Sequence, residues 1–239
     1  MEDSSDIHNL AKRYAPILHF HPEEGEFCCF PSDAEETYNA FHTNWDLFVE
    51  DRRPKELLSA TPCYYEYWED SKLTQIRYWF WFRYNDFPGA PLSIGKHVGD
   101  WENVEIRLYG STKLEDAVWV LSNHYEARVA SYSKTLQGFS REDVILNDEH
   151  INVWSALGTH ANYPSPSSKP RCYVRFFCDK IADGGAIWNT RENLKSIDKT
   201  NFCTFEGRWG DKKAPRGPAN EYNNRWRNAL NLDPQSTEA

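Results

Sequence analysis

Residues 96–108, KHVGDWENVEIRL, hold the side chains best placed by type and spacing to do chemistry. On a β-strand, side chains alternate between faces, so Asp100, Glu102, Val104, Ile106 and Leu108 share one face. That face runs from two carboxylates into three aliphatic side chains. Acids heading an apolar face are costly unless positive charge meets them. His97 stands just before them, and Gly99 lets the backbone turn between His97 and Asp100. A histidine and two acids near one point fit a divalent cation held by hard oxygens and one imidazole. The same spacing fits a buried acid pair matched by an arginine from elsewhere, or an exposed strand end. The opposite face, with Asn103, Glu105 and Arg107, reads as solvent-facing.

Two further histidines follow strand-like runs: His124 closes WVLSNH and His160 lies in SALGTHANYP. A sandwich carries its loop-borne sites at strand ends, so His97, His124 and His160 are expected at one rim. For each alone, a hydrogen-bonded loop histidine is the competing reading. His19, His21, Glu23 and Glu24, in HPEEGEF, read as a solvated loop, and His8, His42 and His150 as ordinary histidines.

The elements that must position these residues are mostly strands. TQIRYWFWFRYN, residues 74–85, is apolar on both faces, with Ile76, Tyr78, Phe80 and Phe82 on one and Trp79 and Trp81 on the other. Such a strand is central in its sheet or lies under a second layer. Further strands are expected at residues 17–20, 117–122, 127–132, 153–158 and 172–177. A helix over residues 6–14 is capped by Ser5 or Asp6, and another begins at Ser32, whose spacing to Glu35 fits a capping box. Short helices are expected at residues 189–196 and 216–230. Short strands with turns between them point to a mainly β fold, a single-domain β-sandwich with a few peripheral helices over residues 1–232. Residues 233–239 read as a disordered tail.

Composition narrows the function. Aromatic residues make up 15% of the chain, with 10 Trp and 1 Met, so the core is built from rings. The net charge of −9 argues against a nucleic-acid-binding surface and against simple docking on anionic lipid. The polar start, MEDSSDIHNLAKRY, is unlike a secretory signal, and no apolar run approaches the ~20 residues of a spanning helix. A cytoplasmic location is therefore expected. The six cysteines show no CxxC spacing and read as reduced, buried thiols rather than as a disulfide set or a zinc site. Nucleophile-elbow, phosphate-loop and dinucleotide motifs are absent, and IADGG reads as a turn. Within GRWGDKKAPRGP, Arg208 is placed to touch a ligand phosphate or carboxylate, although a packed Trp209 explains the loop as well.

Several of these stretches occur together in one family. RYAPILHFHPEE, IRYWFWFRYN, HVGDWENVEI, SNH, GTHANYP, the DGG turn and GRWG…GP follow in the order of the vacuolar protein sorting-associated protein 62 family, which the chain resembles over most of its length. Many members are longer, and residues 134–148 depart from their pattern. HVGDWE is also similar to the GHRHDWE heptad of the Nep1-like necrosis-inducing toxins, β-sandwiches with a bound divalent metal. That likeness implies metal ligands at His97, Asp100 and Glu102, with Asn85 at the toxins' further upstream Asp and Asp86 next to it. Calcium or magnesium is the implied cation, with manganese or zinc as alternatives because of the imidazole.

Two functions follow. In the first, the chain is a metal-dependent, nonredox lyase, cyclase or hydrolase acting on a small apolar or polycyclic substrate. His124 or His160 then moves a proton, and Tyr78, Trp79, Trp81 and Tyr84 line the pocket. In the second, the metal is structural or bridges a lipid or glycan headgroup, and the protein is a binding module linked to vacuolar sorting.

Overall fold

The computed structural model describes residues 4–91, 94–110, 114–121, 138–173 and 176–221. Helix α1 (Ser4–Tyr14) leads through Pro16 into β1 (Ile17–Phe20), followed by the single turn α2 (Glu24–Phe27) and α3 (Ala34–Phe41). Strands β2 (Cys63–Glu69), β3 (Leu73–Asn85), β4 (His97–Tyr109), β5 (Ala117–Leu121) and β6 (Gly138–Phe139) come next. They are followed by β7 (Leu146–Asn147), β8 (His150–Ser155), β9 (Asn162–Tyr163), β10 (Cys172–Tyr173), β11 (Phe177–Cys178), β12 (Ile187–Asn189) and β13 (Leu194–Ser196).

The strands form two main sheets, as the sequence pattern predicts. One has six strands in the order β13-β2-β3-β4-β5-β6; the other runs β12-β1-β8-β7 with β9 paired to β8. In the long antiparallel β3–β4 ladder, Phe82 opposes Asp100 and Phe80 opposes Glu102. Opposed residues lie on the same side of a sheet, so the acids share the face of Phe80 and Phe82. That face looks towards the second sheet: the Phe80 ring meets Trp188 of β12 at 5.6 Å between centroids. On the other side, Trp81, Trp101 and Trp209 pack at 4.8–5.3 Å, with Phe48 and Phe202 beside them. Both faces of β3 are thus covered, which explains its unbroken apolar run.

Local expectations shift where long-range partners intervene. Ser32 donates its backbone N–H to the Trp81 carbonyl of β3, so Asp33 takes over as the cap of α3. Its carboxylate accepts from the backbone N–H groups of Glu35 and Glu36 at 2.7 and 3.1 Å. The strand expected at 153–158 starts and ends earlier, because Ala156 bonds Ala161 to close a turn. The helix expected at 189–196 is a 3-10 turn, Thr190–Asn193, running into β13. The expected strand at 127–132 and most of the expected helix at 216–230 lie outside the described residues, as does the tail.

The solvent-facing reading of the second β4 face is corrected. Glu105 and Arg107 are 1% and 4% exposed. Arg77 opposes Glu105 in the β3–β4 register, and its Nε donates to Glu105 Oε2 at 2.7 Å. Arg107 Nε donates to the other carboxylate oxygen. Two guanidiniums on one acid allow the whole group to be buried.

The thiols are also not all reduced. Cys172 and Cys178 oppose each other across the β10–β11 pair and form a disulfide. Cys28, Cys29, Cys63 and Cys203 are free. Unfolded without reductant, the chain should therefore titrate four thiols with a thiol-specific chromogen, and six after reduction. Six thiols without reductant would reject the bond.

Candidate metal and ligand site

The acids that head β4 are enclosed, Asp100 at 1% exposure and Glu102 at 0%. Gly99, between His97 and Asp100, has φ +73°, and a Cβ there would lie 2.5 Å from the Trp209 carbonyl oxygen. Only glycine fits that approach. What meets Asp100 is the turn joining β8 to β9. His160 adopts φ +55°, uncommon for a residue with a side chain. This conformation points its imidazole inward, where it stacks on Phe82 at 3.6 Å between ring centroids. Its Nδ1 lies 3.1 Å from Asp100 Oδ2, and its Nε2 lies 3.5 Å from Glu24 Oε1.

Glu24, the first residue of α2, is tied to the same turn. Its Oε2 accepts from the Gly158 N–H at 3.0 Å, while the Gly158 carbonyl accepts from the Asp86 N–H at 2.8 Å. Beyond α2, the Cys28 and Cys29 sulfurs lie 3.1 Å apart, and both thiols reach the Tyr84 carbonyl. Thus α2, the end of β3, the start of β4 and the β8–β9 turn converge on one buried polar group.

The electrostatics are mutual. Burial opposes a charged imidazole, but the hydrogen bond to Asp100 and the nearness of Cys29 and Glu24 outweigh it and hold the His160 pKa well above the ordinary value. Burial likewise pushes the Cys29 thiol up, but the neighbouring Cys28 thiol and His160 ring bring it down to about 6. The bond to Cys29, reinforced by burial, drives the Cys28 thiol far up.

His97 is half-buried at the start of β4, opposite Asn85, and its Nδ1 donates to the Gly99 carbonyl at 2.7 Å. Asn85 is buried; its amide nitrogen donates to the Gly95 carbonyl, and its Oδ1 has no hydrogen-bond partner among the described residues. Asp86 is held by Arg52 at 2.6 Å and Lys96 at 3.3 Å. His124 lies outside the described residues. Among the described residues, one set of three His, Cys, Asp or Glu side chains brings its ligand atoms within 4.8 Å of one another: Cys28, Cys29 and His160. His97, Asp100 and Glu102 are not gathered that closely. Their donor chemistry nevertheless fits a hard cation, with two enclosed carboxylates, an imidazole and the orphaned Asn85 amide oxygen at the same end of the β3–β4 pair.

The expected substrate-lining rings lie inside the fold. Tyr78, Trp79 and Trp81 are fully enclosed, and each spends its polar atom inside the fold, on the Ala11 carbonyl, Glu66 and Thr37 respectively. Tyr84 is buried beneath the Arg52 guanidinium, 4.8 Å from its ring centroid. Arg208 donates to the Ala214 carbonyl at 2.7 Å and braces the loop around a fully buried Trp209. These side chains form core and scaffold. A groove of about 390 Å³ is lined by Lys12, Arg13, Glu149, His150 and Arg191 among others, and neither Asp100 nor Glu102 is among them.

Sequence reasoning missed Glu24, Cys28 and Cys29. The signal was the dense EGEFCC run shortly after β1, where an acid and two thiols fall within six consecutive residues.

No family model matches the chain. Vacuolar protein sorting-associated protein 62 of Saccharomyces cerevisiae is 27% identical over 173 residues, covering 60% of this chain and 36% of that protein. Putative vacuolar protein sorting-associated protein TDA6 of the same yeast is 28% identical over 170 residues, covering 57% and 35%. The match thus spans about a third of the length of either relative. Among solved structures, the Nep1-like protein NLPPya in complex with mannosamine superposes with a TM-score of 0.57 at 14% identity. The superposition covers 98% of this chain and 93% of that one. The chain is therefore similar in sequence to the yeast vacuolar protein sorting-associated protein 62, and its β-sandwich has the fold of the Nep1-like proteins.

Proposed function

We propose that the chain is a cation-dependent glycan-binding module. The observation that carries this reading is the pair of enclosed carboxylates, Asp100 and Glu102, heading an otherwise apolar face. Asp100, Glu102, Asn85 and His97 would hold a divalent cation of the calcium or magnesium class, which supplies coordination to sugar hydroxyls when bound. The mannosamine complex of NLPPya supports an amino sugar or related glycan as the ligand class. The net charge of −9 favours a glycan over an anionic lipid headgroup.

The lyase, cyclase or hydrolase reading draws no such support. His160 is sealed at 0% exposure under Phe82, and the rings meant to line a pocket are core. No helix among the described residues is long and apolar enough to cross a membrane. The Cys172–Cys178 disulfide favours an oxidising compartment over the cytoplasm, and the names of the yeast relatives are in keeping with a place in vacuolar sorting.

The test is glycan-array binding with and without calcium or magnesium, beside cation titration by calorimetry. Asp100→Asn should weaken cation affinity by about 10- to 100-fold or more and remove the cation-dependent glycan signal. Glycan binding that survives both chelation and Asp100→Asn would reject the proposal.

A further inference from the structure

The thiols of Cys28 and Cys29 have no part in the reading above. We propose that Cys28, Cys29, His160 and Glu24 form a second metal site, built for a soft or borderline cation of the zinc class. Both cysteines are fully buried immediately after α2, and their sulfurs and a His160 nitrogen all lie within 4.8 Å of one another. An independent observation points at the same spot. His160 Nε2 and Glu24 Oε1 are buried 3.5 Å apart, and neither has a hydrogen-bond partner among the described residues. Burying a ring nitrogen and a carboxylate oxygen this way is costly unless something binds them.

The surroundings hold both groups in place. The Gly158 N–H holds Glu24 by its other oxygen. Asp100 accepts from Nδ1 of His160, which leaves Nε2, on the Glu24 side, to take a cation in place of its proton. A carboxylate behind a metal-bound histidine is the usual way its tautomer and orientation are set. Asp100 is therefore a positioning residue for this site.

The donor set chooses the cation. Two sulfurs, one imidazole nitrogen and one carboxylate oxygen make four ligands, the number zinc prefers. Calcium and magnesium take oxygen ligands and have no use for thiolates. Zinc–sulfur bonds of about 2.3 Å at a tetrahedral angle separate the sulfurs by roughly 3.8 Å, so binding opens the 3.1 Å pair slightly. Since all four residues are enclosed, the ion enters as the chain folds, and its binding energy becomes folding energy.

The experiment uses the full chain folded with zinc, and separately with cobalt as a spectroscopic substitute. One zinc per chain is expected, together with a rise in Tm of roughly 10 °C over protein folded with chelator. The cobalt form should show a thiolate-to-metal charge-transfer band in the near ultraviolet. The Cys28→Ser/Cys29→Ser double variant should lose the zinc and the band while its calcium or magnesium titration stays unchanged. If that variant fails to fold, the wild-type cobalt spectrum still decides the matter. Absence of zinc, a cobalt complex with no thiolate band, a band that persists in the double variant, or a Cys28–Cys29 disulfide in the isolated protein would each overturn the site. Loss of glycan binding with zinc retained would count against the hard-cation reading alone.

Discussion

Glu105→Gln is expected to destabilise the protein by about 3–5 kcal/mol, because it removes the buried negative charge that two enclosed guanidiniums share. Arg77 and Arg107 both bond this carboxylate, and each is 4% exposed. The amide keeps the shape and one acceptor oxygen, so the loss isolates charge from packing. Burial tends to raise the Glu105 pKa, but the two arginines more than offset this and hold it below the usual 4.5. A depressed folded-state value means that this stabilisation is complete above the unfolded pKa and fades as pH falls through the folded one. Wild-type Tm should therefore fall on acidification below about pH 4.5, and the variant should lack that component. Urea unfolding at neutral pH and a Tm series in acid measure both. A difference under about 1 kcal/mol, within the range of an exposed pair, would mean that water reaches the cluster.

Gly158→Ala is expected to cost about 2–5 kcal/mol, combining a left-handed backbone with overpacking. Gly158 has φ +64°, and a Cβ there would stand 2.5 Å from the Phe27 ring and 2.6 Å from the Asp86 carbonyl oxygen. The second clash is with backbone and has no rotamer to relieve it. Any shift also breaks the N–H bond to Glu24 and tilts His160 away from Asp100. Stability and zinc content should fall together. Full zinc occupancy in a destabilised Gly158→Ala protein would show that the turn holds the fold without setting the ligands.

The parts of this molecule that were readable from sequence are those decided by near neighbours. The strand Ile17–Phe20 and the two-faced run of β3 follow from local pattern, and so does the placement of Asp100 and Glu102 on the inner face. Charge was misread where the partner is remote. Glu105 on an otherwise polar face looks solvated until Arg77 of the neighbouring strand is set beside it. Glu24 looks like a loop acid because the N–H that binds it belongs to Gly158, 134 positions along the chain. The rings of β3 were legible as apolar but not as core, since a pocket wall and a packed interior share one composition. The cysteine doublet gave no ligand spacing, because its third donor, His160, arrives from a distant turn.

The position of β1 bears on how the protein is made. This strand lies between β8 and β12, with parallel partners at 152–155 and antiparallel ones at 187–189, all well over a hundred positions further along the sequence. Its edges stay unpaired on the ribosome until those partner residues have been translated. Folding is therefore dominated by contacts distant in sequence, which slows it and prolongs exposure of aromatic surface. Chains truncated before Asn189 should accumulate as chaperone-bound or aggregated species rather than as smaller folded units.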